Sequence, residues 1–219
     1  MNLRRLPVRV DLVIFAIRAG ILQVLLWKRR DPPLKGGWTL PGGFVEKGEP
    51  IEDAARKILK EKTGFVEQAY VEQLFTFCEP KMDPRGDLVS VAYYAVVSAS
   101  GESWDGTFHP ASKAPELVFH HDKVLASGIE RLRTKTEYST VPLRFLDEVF
   151  TLSELQHVYE VLLDREFDKR NFRRKILALE AIEETEGQRR VGAHRPARLF
   201  QLSASRPYLL KEKGILFPF

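Results

Sequence analysis

The segment "GGFVEKGEPIEDAARKILKEKTGF" (residues 42–65) sets a glycine pair ahead of a short loop and then a helix. Pro50 suits the first helical position, 51–62 follow at helical spacing, and Gly64 stops them. Gly42 and Gly43 leave room for a backbone to approach an anion, because neither carries a side chain. The segment therefore reads as a phosphate-handling loop and helix. Ile58 and Lys62 stand one helical turn apart on it, so what these two positions offer a ligand matters for what the helix can do.

Upstream, "VDLVIFAI" (10–17) and "ILQVLLW" (21–27) are β-branched, apolar runs split by Ala19-Gly20, which predicts a hairpin. "RRDPPLKGGWTLPGG" (29–43) is rich in Pro and Gly and reads as loop with short extended pieces. Downstream, "VEQLFTF" and "LVSVAYYAVV" read as strands around the turn-rich "CEPKMDPRGD", and "HDKVLASGIERLRTK" (121–135) as an amphipathic helix. Residues 136–150 show no clear periodicity and are expected to form a junction. Beyond them Ser153 precedes Gln156 by three residues, a capping-box pattern, and Leu155, Val158, Tyr159, Leu162 and Leu163 share a stripe. After "DREF", Asp168 is placed to cap a second helix. On that helix Phe172, Ile176 and Leu179 share one face and Arg170, Arg173 and Arg174 another. Two extended segments around an Arg-rich bend follow. Helix, turn, helix and basic hairpin is the order of a winged helix-turn-helix.

Composition narrows the class. The apolar fraction of 44% and charged fraction of 29% are those of a globular domain, and the net charge of +4 is too small to diagnose nucleic-acid binding by itself. Its distribution is more telling: residues 169–198 hold nine Lys/Arg against four Glu. The single Cys78 excludes an intramolecular disulfide and a thiolate zinc site and suits a reducing cytoplasm. No secretory h-region and no run of eighteen apolar residues is present, so neither a signal peptide nor a membrane span is expected. Lys169, Arg170, Asn171, Arg173, Arg174 and Lys175 on the second helix, with Arg189, Arg190, Arg195 and Arg198 on the wing, are the candidate DNA-binding residues. A helical appendage used only for dimerisation is the alternative.

Gly43, then Glu49 and "KILKEKTGF" at the matching intervals, resembles the Nudix box, G-x5-E-x7-R-E-U-x-E-E-x-G-U with U apolar. The box positions are Gly43, Glu49, Lys57, Ile58, Glu61, Lys62 and Gly64. Lys57 stands where the family has Arg, while Ile58 and Lys62 replace two of the three glutamates, leaving Glu61. A pyrophosphatase needs those acids to hold magnesium, which offsets phosphate charge and activates water. Isoleucine offers no ligand and lysine opposes a cation, so no catalytic residue, no metal and no cofactor are expected. Lys62 is instead a candidate to meet the pyrophosphate directly, although Lys57, Lys60 and Lys62 also fit a solvated helix face. The resemblance, closest to the ADP-ribose-handling branch, implies effector contacts from Arg29, Lys35, Trp38, Gly42, Gly43, Phe44, Lys62, Phe77 and Arg85. For the aromatics, core packing is the competing reading. Phe119-His120-His121 departs from the F-D-H common in the family, and adjacent histidines point apart, which makes them poor joint metal ligands.

The two halves together look very like the Nudix-related transcriptional regulators of the NrtR type. The fold implied is α+β: a Nudix-like mixed-sheet α/β/α sandwich over 1–145, which senses the effector, followed by a winged helix-turn-helix domain over 146–219. That resemblance implies a cytoplasmic, homodimeric repressor of NAD-metabolism genes that binds double-stranded operator DNA and is relieved by ADP-ribose. Two alternatives are a magnesium-dependent Nudix (ADP-ribose) pyrophosphatase with an accessory domain and a sugar-responsive regulator of the same family. Residues 136–150 are where the effector's influence is expected to cross to the DNA-binding half.

Overall fold

The computed structural model describes residues 5–64, 69–79, 81–99, 104–189 and 196–203. The predicted hairpin forms from β1 (Val8–Arg18) and β2 (Ile21–Lys28). Arg18 pairs with Ile21, and the two turn residues Ala19 and Gly20 both take positive φ, 50° and 75°. This is the two-residue turn whose twist matches the strands. β3 (Trp38–Thr39) and β4 (Gly42–Phe44) are the short extended pieces of the Pro/Gly-rich loop. β5 (Tyr70–Phe77) and β6 (Val89–Val96) follow the two predicted strands. One seven-stranded sheet results. Its path is β3-β2-β1-β6-β5, parallel only between β1 and β6, with β4 on β1 and β7 (Thr107–Pro110) on β2. No periodic run announced β7; four residues become a strand because β2 offers them an open edge.

The alternation of β1 sorts the core into two layers. Val10, Leu12, Ile14 and Ala16 face α1 (Ile51–Thr63) and meet Ala54, Ala55, Ile58 and Leu59. Val13 and Phe15 face the other way, toward Val124, Leu125 and Leu132 of α2 (His121–Thr136). α1 ends at Gly64 in the left-handed region (φ 68°), as its sequence predicts. Pro50 stands one place earlier than expected: it is the N-cap, extended, with its carbonyl accepting from the Ala54 N–H.

The C-terminal part contains α3 (Leu152–Leu163), α4 (Lys169–Ala178), β8 (Ile182–Arg189) and β9 (Ala197–Leu202). The capping box lies two residues before the predicted one. Thr151 accepts from the Glu154 N–H and the Glu154 side chain accepts from the Thr151 N–H, so Ser153 sits inside the helix. Asp168 caps α4 as predicted, accepting from the Asn171 N–H. Leu155, Tyr159, Phe172, Ile176 and Leu179 build a third core with Phe200. On the other side of α3, Val158 and Leu162 join the α2-side core of the sheet. The junction divides in the same way: Val141 and Phe145 belong to the sheet's core, Leu143 and Phe150 to that of the winged helix.

Candidate functional site

A cavity of about 360 Å³ opens where the β2–β3 loop, β4 and the end of α1 meet. Five cations line it, Arg9, Lys28, Arg29, Arg30 and Lys62, against two carboxylates, Asp31 and Asp105. Arg29 is fixed from behind. Its Nε donates to the Pro33 carbonyl (2.7 Å) and its guanidinium lies 4.9 Å from the centre of the Phe119 ring. Burial lowers its pKa, and the nearby charges of Arg85 and Arg9 push it the same way. That direction records a crowded positive potential, which a polyanionic ligand relieves.

Lys62 projects from the last turn of α1 into this cavity. Its ammonium lies 4.5 Å from the Trp27 ring and 3.1 Å from Asp105 Oδ2. A cation between a ring face and a carboxylate is held in place while keeping donors for a ligand. Ile58, one turn earlier, is 7% exposed and packs into the α1-side core. Lys57 bonds Glu46 (2.6 Å) and stands 3.7 Å from Glu49, whose other oxygen accepts from the Glu46 N–H (2.9 Å). Lys57 therefore holds Glu46 and faces Glu49, a cation kept where the box pattern has arginine. Among the described residues, no three His, Cys, Asp or Glu side chains gather in a way that could hold a metal ion. Of the three acids that the box pattern places on α1, the helix carries Glu61 alone, with Ile58 and Lys62 at the other two positions.

The sequence candidates divide into four groups. Arg29, Gly42 and Lys62 share the cavity, and Lys35 lies on an adjoining hollow that also has Arg29 and Arg30 on its wall. Phe44 is half exposed, its ring flanked by Arg9 at 5.9 Å and Arg85 at 5.6 Å; Arg85 in turn forks onto Asp83. A Cβ at Gly43 would meet only Ile58, in ordinary contact, so packing does not require glycine there. Trp38 and Phe77 pack against the α2-side core, Trp38 edge-on to His109. Gly42 has a second reason to be glycine: a Cβ there would come within 2.5 Å of the Val10 carbonyl and of Asp11 Oδ1.

Arg9, absent from the sequence candidates, is the cavity residue with the deepest support. Its Nε donates to Asp11 Oδ1 (2.7 Å), and Asp11 is 2% exposed. The Leu40 N–H donates to His121 Nδ1 (3.0 Å), which leaves Nε2 to carry the proton and face Asp11 Oδ1 at 3.3 Å. Ser90 donates to the other Asp11 oxygen. Burial alone would raise the Asp11 carboxyl; the electrostatic pull of His121, then the Arg9 charge, with the bonds from His121 and Ser90, outweigh it and hold the group well below the usual carboxylate range. His120, by contrast, turns outward to Glu79 (2.6 Å), so the adjacent histidines do part company. A lone aspartate inside the apolar run "VDLVIFAI" was the available signal, since a buried acid is rarely without a partner.

The second candidate surface is α4 and the wing. Arg170, Arg173 and Arg174 are exposed on the face opposite Phe172 and Ile176, and Lys169 is exposed beside them. Lys175 and Asn171 are half-buried, and Asn171 accepts from Arg174 (2.8 Å). On the wing, Arg198 pairs with Glu184 (3.0 Å), while Arg189 turns back to Glu154 (2.8 Å). Arg190 and Arg195 lie outside the described residues.

Comparison with known proteins agrees with this two-part organisation. Residues 5–139 match the model of the NUDIX domain family, and residues 142–202 that of the NrtR DNA-binding winged helix domain. The chain is 35% identical over 206 residues to the "ADPR responsive transcriptional repressor NtrR" of Acinetobacter baylyi, covering 89% of this chain and 81% of that protein. Among solved structures it is similar to Shewanella oneidensis NrtR complexed with a 27mer DNA. The TM-score is 0.79 at 37% identity, over 90% of this chain and 93% of that one. The NUDIX domain of the same Shewanella protein complexed with ADP ribose aligns at 33% identity and a TM-score of 0.52, over 59% of this chain and 90% of that one.

Proposed function

The chain belongs to the NrtR family, a NUDIX domain followed by a DNA-binding winged helix, and from that premise we propose a repressor whose hold on operator DNA is released by ADP-ribose bound in the cationic cavity. The observation that carries the proposal is Lys62. An ammonium fixed by Trp27 and Asp105 stands where a hydrolase would need a metal-binding carboxylate, inside a cavity with four further cations. Such a pocket suits a diphosphate without requiring magnesium and without a group to activate water. The box is thus read as a frame retained for binding and no longer equipped for hydrolysis. The genes controlled are proposed to be those of NAD metabolism, and the working form a cytoplasmic homodimer, because a palindromic operator calls for two-fold symmetry.

Release requires that ADP-ribose bind the DNA-incompetent arrangement more tightly than the competent one. Two segments are placed to carry that preference. The junction 136–150 and α3 each contribute side chains to both cores, so a shift in the sheet domain cannot leave the winged helix where it was. Among the described residues no helix is long and apolar enough to cross a membrane. The test is calorimetric titration of the full chain with ADP-ribose, in EDTA and then in magnesium, with the products chromatographed. Equal affinity in both buffers and intact ADP-ribose are expected. Magnesium-dependent appearance of AMP and ribose 5-phosphate would overturn the non-hydrolytic reading.

A further inference from the structure

Arg189 is the last residue of β8 and adjoins Arg190 in the sequence, so charge alone would assign it to phosphate. Its guanidinium is engaged elsewhere. Nη1 donates to Glu154 Oε1 (2.8 Å) and Nη2 to the Val149 carbonyl (3.0 Å). The other oxygen of Glu154 accepts from the Thr151 N–H (2.7 Å), closing the capping box of α3. One carboxylate thus caps the support helix and holds the wing. A second tie lies next to it: Phe150 and Phe200 exchange backbone hydrogen bonds of 2.9 and 2.7 Å, fastening β9 to the same segment. Both wing strands are therefore anchored to residues 149–154, at the head of the helix that enters both cores. Arg198–Glu184 differs, since both partners belong to the hairpin and their pairing leaves its orientation free.

We infer that Arg189 and Glu154 form a latch that sets the wing against α3, so that Arg189 supports DNA binding as a positioning residue and not as a phosphate contact. The inference rests on the DNA-binding reading proposed above. Its physical basis is the fork: a guanidinium satisfies two acceptors at fixed angles, whereas a lysine at 189 would bring a point charge on a flexible stem with no such geometry. To reach a phosphate, Arg189 would have to give up both bonds and leave Glu154 facing the polyanion. Glu154, being acidic, gains nothing from DNA directly, so any loss of DNA affinity on removing it must come through position.

The experiment uses the full chain and a labelled duplex from upstream of its gene, with Arg189→Ala, Arg189→Lys, Glu154→Ala and the double alanine variant. Thr151→Ala serves as a control that weakens the cap and leaves the latch. Affinity is read across a salt series, and amide exchange of β8 is read without DNA. A latch predicts about a tenfold loss for each single alanine variant, no further loss in the double variant, no rescue by lysine, and an unchanged salt slope. It also predicts faster exchange in β8. A phosphate contact predicts a salt slope reduced by about one, rescue by lysine and an inert Glu154→Ala, and that set overturns the latch. Should the parent fail to bind the duplex, the repressor reading falls, and exchange still decides whether the wing is latched: unchanged β8 protection in Arg189→Ala overturns it.

Discussion

The cavity and α4 both concentrate positive charge, and they hold it in opposite ways. In the cavity each main cation is tied down: Arg9 to Asp11, Arg29 to loop carbonyls and Phe119, Lys62 to Asp105 and Trp27. On α4, among the described residues, Arg170 and Arg173 have no hydrogen-bond or ion-pair partner, and Arg174 has only the Asn171 amide. A small ligand gains from cations already in place, because little side-chain freedom remains to be lost on binding. A duplex presents a phosphate every few ångströms and releases counterions as it is neutralised, so mobile surface arginines serve it well. Arg189 departs from its neighbours on the DNA side by following the rule of the cavity.

The contrast can be broken most forcefully at its buried end. Asp11→Asn leaves Arg9 without its counter-charge and is expected to cost about 3 kcal/mol of stability at pH 7, measured by urea denaturation. The pH dependence has a definite sign. The folded Asp11 carboxyl titrates below its unfolded value of about 4, so its contribution is complete above that pH and is lost as pH falls toward the folded pKa. The gap between parent and variant should therefore narrow in acid; a gap constant down to pH 3 would show that Asp11 acts through packing and not charge.

At the free end, Arg173→Ala with Arg174→Ala should weaken operator binding by on the order of a hundredfold and lower the salt slope by about two, with ADP-ribose binding unchanged. Persistence of DNA affinity would move the recognition surface off α4. Lys62→Glu should reduce ADP-ribose affinity in EDTA by on the order of tenfold, since a charge-assisted contact becomes a repulsion. Equal affinity would return Lys62 to the role of a solvated helix residue. The smallest effect is expected at Thr151→Ala, about 1 kcal/mol of stability from the lost cap, read as a shift in the denaturation midpoint.

Which features the sequence discloses follows from how far apart their parts lie. The β1–β2 hairpin, α1 with its Gly64 stop, and the Asp168-capped α4 are local patterns of periodicity and capping, and they form where those patterns place them. β7 has no such pattern and exists through its pairing with β2. Thr151…Glu154 and Ser153…Gln156 both satisfy a capping-box spacing, and only the start of α3 at Leu152 selects the former. In the cavity, Lys62 could be found through the box, Arg29 through the wider family resemblance, and Gly42 through its lack of a side chain. The lone acid in an apolar run marks Asp11, but its partnership with Arg9 and His121 could not be found, because it joins the first strand to a helix more than a hundred residues later. The Arg189–Glu154 pair spans 35 residues, and charge counting assigns the arginine to DNA while giving the glutamate no role.

The central claim joins the two regions: filling the cavity empties the DNA surface. Fluorescence anisotropy of a labelled upstream duplex bound to the full chain, titrated with ADP-ribose in EDTA, tests it directly. A saturable fall in anisotropy is predicted, with Lys62→Glu requiring more ADP-ribose to reach the same point. Anisotropy that stays constant at ADP-ribose concentrations shown by calorimetry to fill the cavity would contradict the account.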